Sequence, residues 1–293
     1  MTATATTTTA ALPLRDRYQR DGYVVLEQAL SPDEVAALNA ELVSMVRGEL
    51  GAIDGSPVGP GATEAEALAA TLCVHFPHKL SPLFAEALRH PAVVPALVDL
   101  LSPDVKCMQS MAFVKSEGKP GQAWHQDEQF IPTRDRSLVA AWIALDDATV
   151  RNGCLWALPG SHRPGVLYPQ QEQLDDRFDC SKEAYAFPYR DEDAVPLEVR
   201  AGDVVLFNGY LLHRSLPNYG GHGLRRALVN HYMNASSLLP WRHQPGVDPG
   251  MLDHRDVVMV AGTDPYAWSP LTDVSAVHVR RDGNGGCAPV EEG

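Results

Sequence analysis

From Val105 onward, apolar residues fall in short runs separated by turn-forming residues, and the runs predict strands. Val139 to Asp146 reads as a buried strand, Asp203-Val204-Val205-Leu206-Phe207 as a second, and Arg225-Arg226-Ala227-Leu228-Val229-Asn230-His231-Tyr232 as a third. Gly118-Lys119-Pro120-Gly121, Arg151-Asn152-Gly153, Leu158-Pro159-Gly160 and Arg200-Ala201-Gly202-Asp203 supply the turns. Before residue 105 the pattern differs. Gly22 to Glu27 suggests one short strand. Ser31-Pro32-Asp33-Glu34 is a helix start, with Ser as N-cap, Pro at the first position and Glu closing a capping box. Val35, Leu38, Leu42 and Met45 then mark one helical face that belongs in a core. A Gly/Pro loop spans Gly51 to Gly61, and two more helices are expected after Ser81-Pro82 and His90-Pro91.

Helices first and strands afterwards argue for one antiparallel β core flanked by helices, not an alternating βαβ fold. We expect a single domain over 15–280, divided into a helical part (15–104), a β core (105–240) and a C-terminal extension (241–280). Residues 1–14 and 281–293 are expected to be loose tails. One stretch, Arg163 to Val195, breaks the strand pattern and interleaves Tyr168, Phe178, Tyr185, Phe187 and Tyr189 with many charges. Two readings of it stand side by side: a lid over a bound substrate, or a surface excursion whose aromatic rings cap a sheet.

Charge narrows the class of partner. With 24 basic and 37 acidic residues the formal net charge is -13. No Lys/Arg run exceeds two residues, which argues against a nucleic acid or an anionic membrane and leaves a small-molecule substrate. Five scattered cysteines without a Cys-x-x-Cys pair fit reduced thiols in a cytoplasmic setting. Met1 to Leu12 has no basic start and no long apolar core, so it does not read as a signal peptide. No window approaches the ~18 apolar residues of a membrane helix.

The chemistry is carried by His125-Gln126-Asp127 and by His213, 88 positions later. In a strand, positions 125 and 127 share a face and Gln126 takes the other. A distant strand can bring His213 beside them. Two imidazoles and a carboxylate are the ligand set of a mononuclear non-haem iron(II) site, with three positions left for a chelating co-substrate and dioxygen. The other histidines lack partners at ligand spacing. His162 is expected to cap backbone groups and His231 to be a satisfied interior histidine. No Gly-rich phosphate cradle and no Gly-x-Ser-x-Gly elbow is present, so nucleotide transfer and serine hydrolysis have no support.

Several motifs in order resemble one family, the phytanoyl-CoA dioxygenases, which are iron(II)- and 2-oxoglutarate-dependent oxygenases. They are Asp21-Gly22-Tyr23-Val24-Val25-Leu26, Trp124-His125-Gln126-Asp127, Trp142-Ile143-Ala144-Leu145-Asp146-Asp147-Ala148, Asn152-Gly153-Cys154-Leu155-Trp156, Leu158-Pro159-Gly160-Ser161-His162 and His213-Arg214-Ser215-Leu216-Pro217-Asn218, with Arg225 beyond. The resemblance implies a mainly β fold, a double-stranded β-helix (jelly roll, cupin-like) with flanking N-terminal helices. It implies iron(II) on His125, Asp127 and His213, with 2-oxoglutarate as co-substrate and dioxygen as oxidant. Arg225 matches the arginine that pairs with the far carboxylate of 2-oxoglutarate, a task suited to a guanidinium. Arg226 is its rival and is expected to face outward as an exposed charge. Ser215, Trp142, Met111, Gln109 and Gln122 are the lesser co-substrate candidates.

The implied reaction is oxidative decarboxylation coupled to C–H oxidation. Hydroxylation is favoured over halogenation because Asp127 keeps the position a halide would need. A redox-neutral cupin-like isomerase or lyase, or a binding domain with an inactive site, would use the same jelly roll without consuming oxygen.

Overall fold

The apolar runs become strands, and their burial on both faces explains why they read as continuous. The computed structural model describes residues 12–56, 58–59, 61–179, 182–239 and 256–281. The expectations for residues 1–11 and 282–293, and for the stretch 240–255, lie outside the described residues.

Helix α1 (Leu14–Asp21) leads into strand β1 (Tyr23–Leu26), and α2 (Pro32–Val46) follows. Ser31 caps α2 as its sequence predicts: its hydroxyl accepts from Glu34 N at 3.3 Å, and the Glu34 carboxylate accepts from Ser31 N at 2.8 Å. Such caps contribute ~1 kcal/mol each. Val35, Leu38, Leu42 and Met45 are all buried. Helix α3 (Glu64–Ala70) was not anticipated, although Thr63 and Glu66 form a second capping box of the same kind. It runs directly into β2 (Thr71–His75). Helix α4 (Pro82–Ala87) starts at the expected Pro, whereas α5 (Val94–Leu100) begins three residues beyond Pro91, after a turn.

The remaining strands are β3 (Val105–Lys115), β4 (Gln122–His125), β5 (Val139–Ala144), β6 (Leu155–Ala157), β7 (Gln170–Glu172), β8 (Lys182–Ala184), β9 (Val195–Leu197), β10 (Val204–Asn208), β11 (His213–Ser215), β12 (Arg225–Asn234), β13 (Val258–Ala261) and β14 (His278–Arg281). They form an eight-stranded sheet in the order β1-β10-β5-β12-β3-β2-β14, with β13 also on β3, and a four-stranded sheet β4-β11-β6-β9. The pairings between these strands are antiparallel. The order differs from helices first, strands second, because β1 and β2 from the helical part and β13 and β14 from beyond residue 255 all join the large sheet.

The large sheet is buried twice. Val139, Ala141 and Ile143 of β5, with Leu228 and Tyr232 of β12, pack against α2, α4 and α5. Ala140, Trp142 and Ala144, with Ala227 and Val229, face Leu155, Ala157 and Leu197 of the small sheet. Period-two alternation thus survives as a choice between two apolar neighbours rather than between core and water. The two facing sheets are the jelly roll, and the cavity lies between them.

The stretch 163–195 supplies the β7–β8 hairpin. Tyr168, Phe187 and Tyr189 pack with Trp124, Leu158, Ala184 and Leu212, and Phe187 lies 6.3 Å from Trp124 and 6.0 Å from Tyr168 between ring centroids. Trp124 precedes His125 on β4 and points to the opposite face. None of the five aromatic residues of this stretch lines the cavity. For Tyr168, Phe187 and Tyr189 the contacts are those of sheet capping.

Candidate metal centre and co-substrate cavity

His125 and His213 are directly opposed in the β4–β11 pairing, with ring centroids 4.1 Å apart. Gly121, just before β4, permits this approach: a Cβ there would stand 1.9 Å from the Ser215 carbonyl oxygen. Each imidazole is oriented from behind in the same way. His125 Nδ1 lies 2.8 Å from the carbonyl oxygen of Ala123, and His213 Nδ1 lies 3.0 Å from that of Leu211. A carbonyl only accepts, so both Nδ1 atoms carry the proton and both Nε2 lone pairs are free to coordinate.

Both Nε2 atoms lie 3.6 Å from Asp127 Oδ1. That is too long for hydrogen bonds and matches donors that share one ion at ~2.1 Å each. The three ligand atoms all lie within 4.8 Å of one another. Burial and the facing His213 push the His125 imidazole down to about 4, so it is a neutral ligand at pH 7. Burial acts to raise the Asp127 carboxyl, but His213, the hydrogen bond from His231 and His125 outweigh it and hold the group well below the usual carboxylate range. Two imidazole nitrogens and one carboxylate oxygen form a donor set suited to a divalent transition metal.

Asp127 is not itself on the strand. β4 ends at His125, and Asp127 opens a single 3₁₀ turn over Asp127–Gln129. Alternation still reaches it because Gln126 is extended (φ -130°, ψ 126°). The Gln126 side chain, on the other face, donates to the carbonyls of Val166 (2.9 Å) and Tyr210 (2.7 Å) and accepts from Tyr168 N (2.8 Å). It locks the ligand loop to two neighbouring loops.

A cavity of about 200 Å³ opens on the metal ligands. Arg225, Ser215, Trp142, Met111, Gln109 and Gln122 all line it. Arg225 is buried, its guanidinium 5.6 Å from the centroid of the Trp142 ring, and burial brings its pKa down to about 10, so it remains a cation at neutral pH. Among the described residues its Nε has no hydrogen-bond partner. Arg226 faces the other way, as alternation requires. It is not an exposed charge: its Nε and Nη2 grip Asp146 at 2.8 and 2.7 Å, and both side chains are largely buried.

Three cavity residues went unrecognised in the sequence. His231, read as interior, donates from Nε2 to Asp127 Oδ2 at 3.2 Å, so it holds the carboxylate of the candidate metal site. Its signal was available, since 225, 227, 229 and 231 share one face of β12. His75 stacks on His278 at 4.5 Å between centroids, and Arg280 of β14 is held by Asp179 at 2.6 Å. Nothing local could have placed β2 and β14 beside the cavity. His162, by contrast, does cap backbone: its Nε2 lies 3.2 Å from the Gln19 carbonyl oxygen.

His231→Leu is expected to weaken metal binding ~10–100-fold, the usual effect of removing a residue that orients a ligand. Competition against a chelator measures it, and unchanged affinity would reduce His231 to a packing role.

Two facing antiparallel sheets of the cupin-like class thus enclose a buried cluster of two histidines and one carboxylate that could hold a single metal ion. The family model for phytanoyl-CoA dioxygenase (PhyH) matches residues 18–227, and the chain belongs to that family. It is 36% identical over 146 residues to phytanoyl-CoA dioxygenase 1 of Oryza sativa subsp. japonica, covering 49% of this chain and 50% of that protein. Against the ectoine dioxygenase of Streptomyces avermitilis it is 30% identical over 217 residues, 69% of this chain and 71% of that one. The chain spans about half the length of the curated phytanoyl-CoA dioxygenases it matches.

Among solved structures, the non-heme monooxygenase ThoJ superposes with a TM-score of 0.66 at 22% identity, over 93% of this chain and 90% of that one. The non-heme alpha-ketoglutarate-dependent carbocyclase SnoK gives 0.58 at 25%, over 86% and 93%. Iron and 2-oxoglutarate are the cofactor and co-substrate of this class. The residues present fit both: a two-imidazole, one-carboxylate donor set for the ion, and, for the dicarboxylate, a buried guanidinium with no carboxylate partner among the described residues. Among the described residues no helix is long and apolar enough to cross a membrane.

Proposed function

We propose that this protein is an iron(II)- and 2-oxoglutarate-dependent dioxygenase that hydroxylates an unactivated C–H bond of a small organic molecule, such as a secondary metabolite, an amino-acid derivative or an acyl compound. The observation that carries the reading is the conjunction, in one cavity, of the His125, Asp127 and His213 donor set with the buried cation of Arg225. When bound, iron(II) with 2-oxoglutarate and dioxygen supplies the oxidising power, one oxygen atom leaving in succinate beside carbon dioxide and the other in the hydroxyl group of the product.

The chain's own residues bind, orient and exclude water. Arg225 holds the far carboxylate of the co-substrate. Phe207, Leu155 and Val229 provide dry walls, within which charge pairing is stronger than in water. A cavity of about 200 Å³ is smaller than the ~300–1,000 Å³ clefts that enclose drug-sized ligands. The substrate is therefore a small molecule or presents one end of a longer one. Asp127 favours hydroxylation over halogenation, because its carboxylate fills the ligand position a halide would take. Cys73, Cys107 and Cys154 are buried free thiols, which supports a reducing cytoplasmic setting.

Oxygen uptake tests the reading. Iron(II)-loaded protein should consume oxygen and form succinate only when 2-oxoglutarate is present, faster with its substrate, and the wild type should give no chlorinated product in chloride. Asp127→Gly should lose most of this turnover and gain little halogenation, since truncation removes an anionic ligand as well as opening a place. Turnover of a metabolite without oxygen uptake would favour a redox-neutral isomerase or lyase instead.

A further inference from the structure

Strand β14 lies beyond residues 18–227, which match the family model, yet it sends a charged side chain into the cavity. Arg280 pairs with Cys73 of β2, and Cys73 with Phe113 of β3, so these residues form one row across the large sheet. The guanidinium lies over the Phe113 ring, 5.7 Å from its centroid. In the next row His278 stacks on His75, with the two rings 7° from parallel. Arg225 belongs to β12, and both β3 and β2 stand between it and β14. The cavity therefore holds two arginines on separate strands, and the co-substrate reading engages only one.

Exposure separates them as well. Arg225 and Ser215 are buried, whereas His75, Gln109 and Arg280 are half-buried and Phe130 is 37% exposed. All of them line the cavity, which opens along the more exposed group. A substrate that enters after 2-oxoglutarate meets this wall first.

Arg280 arrives with its charge already matched. Its Nη2 donates to Asp179 Oδ2 at 2.6 Å, and the two side chains are 12% and 3% exposed. Asp179 belongs to the other sheet's side, since its backbone N–H donates to the carbonyl of Gly121, just ahead of β4, at 2.9 Å. A guanidinium has five N–H donors. Asp179 engages Nη2, and among the described residues Nε has no hydrogen-bond partner. Donors remain for a ligand. A carboxylate brought to the same guanidinium would stand beside Asp179, and like charges repel more strongly in a dry site than in water. A neutral acceptor meets no such cost. His75 fits the same requirement: burial, with His278 and Arg280 nearby, pushes its imidazole down to about 3, so it is uncharged at pH 7.

We propose that Arg280 is a substrate-recognition residue and that it selects an uncharged substrate: an oxygen acceptor such as an amide, lactone or ketone carbonyl binds the guanidinium beside Asp179, while the apolar part of the molecule lies against Phe113 and His75. The inference rests on reading the cavity as the reaction chamber of a 2-oxoglutarate-dependent enzyme.

Calorimetric titration of manganese(II)-loaded protein with 2-oxoglutarate bound, without oxygen, tests it with matched probes: butanamide, hexanamide and benzamide against butanoate, hexanoate and benzoate. In the wild type at least one amide should bind about tenfold or more tightly than its carboxylate, a factor within reach of one hydrogen bond to a charged group. Asp179→Asn keeps an acceptor on Arg280 but removes its counter-charge, and should turn the preference toward the carboxylate. Asp179→Leu combined with Arg280→Met removes both charges, so that neither is left buried alone. That double variant should bind each amide and its carboxylate within about twofold of each other and still bind 2-oxoglutarate. Should circular dichroism show it misfolded, Arg280→Lys carries the same comparison, keeping a cation for Asp179 without the guanidinium's further donors. Carboxylates bound as tightly as amides by the wild type, no amide bound, a preference unchanged by Asp179→Asn, or one that survives loss of the guanidinium would overturn the proposal. A wild type that does not take up 2-oxoglutarate would remove the underlying reading of the cavity, whereas normal 2-oxoglutarate binding beside any of those results would sink the Arg280 role alone.

Discussion

Arg225→Ala is expected to abolish practical use of 2-oxoglutarate, raising its Kd about a hundredfold to several thousandfold. Removing the charge partner of a buried carboxylate costs ~3–5 kcal/mol, and each ~1.4 kcal/mol is a factor of ten. Arg225 is buried in the cavity, so bulk water does not take its place. Arg226→Ala supplies the contrast. It should leave the affinity nearly unchanged and instead lower the melting temperature, because it strips a two-pronged grip from Asp146, an interaction worth on the order of 1–3 kcal/mol. Titration of both variants with 2-oxoglutarate separates the two roles, and a greater loss of affinity in Arg226→Ala would place the wrong arginine in the cavity.

The second large effect belongs to the metal ligands. His125→Ala or His213→Ala removes one of only three protein donors, and the remaining pair cannot hold iron(II) in the same geometry. Turnover should fall below detection in either variant while the melting temperature changes little. The histidines stand at the ends of short strands in the small sheet, and the extensive double-sided core of the large sheet does not include them. Metal content measured after iron reconstitution checks the cause.

How much of this was legible in the chain depends on the range of each interaction. Local signals served well. The Ser31 cap, the apolar runs and the strand alternation that separates Arg225 from Arg226 are all set by neighbours within a few residues. Alternation even carried through Gln126 to Asp127, although the strand stops at His125, because only one more extended residue was needed. The same rule would have put His231 on the metal side of β12. It was missed because an isolated histidine in an apolar strand has no partner in its own segment; Asp127 lies 104 positions away.

Longer-range features left no such trace. The opposition of Lys115 and Arg225 requires the register of β3 on β12, which contains a bulge between His231 and Tyr232. Arg280 enters through pairing of β14 with β2, segments about 200 residues apart. The aromatic residues of 163–195 were equally compatible with a lid or with sheet capping, since either use demands rings at irregular spacing. Tyr168, Phe187 and Tyr189 pack with Trp124 and Leu212.

The central claim is that His125, Asp127 and His213 bind iron(II) with two adjacent positions left for 2-oxoglutarate. The visible spectrum of the iron(II) protein, recorded without oxygen, tests it most directly. Adding 2-oxoglutarate to the wild type should produce a weak metal-to-ligand charge-transfer band, and His125→Ala and His213→Ala should both lack it. A band that persists in both variants, or none in an iron-loaded wild type, would contradict the assignment.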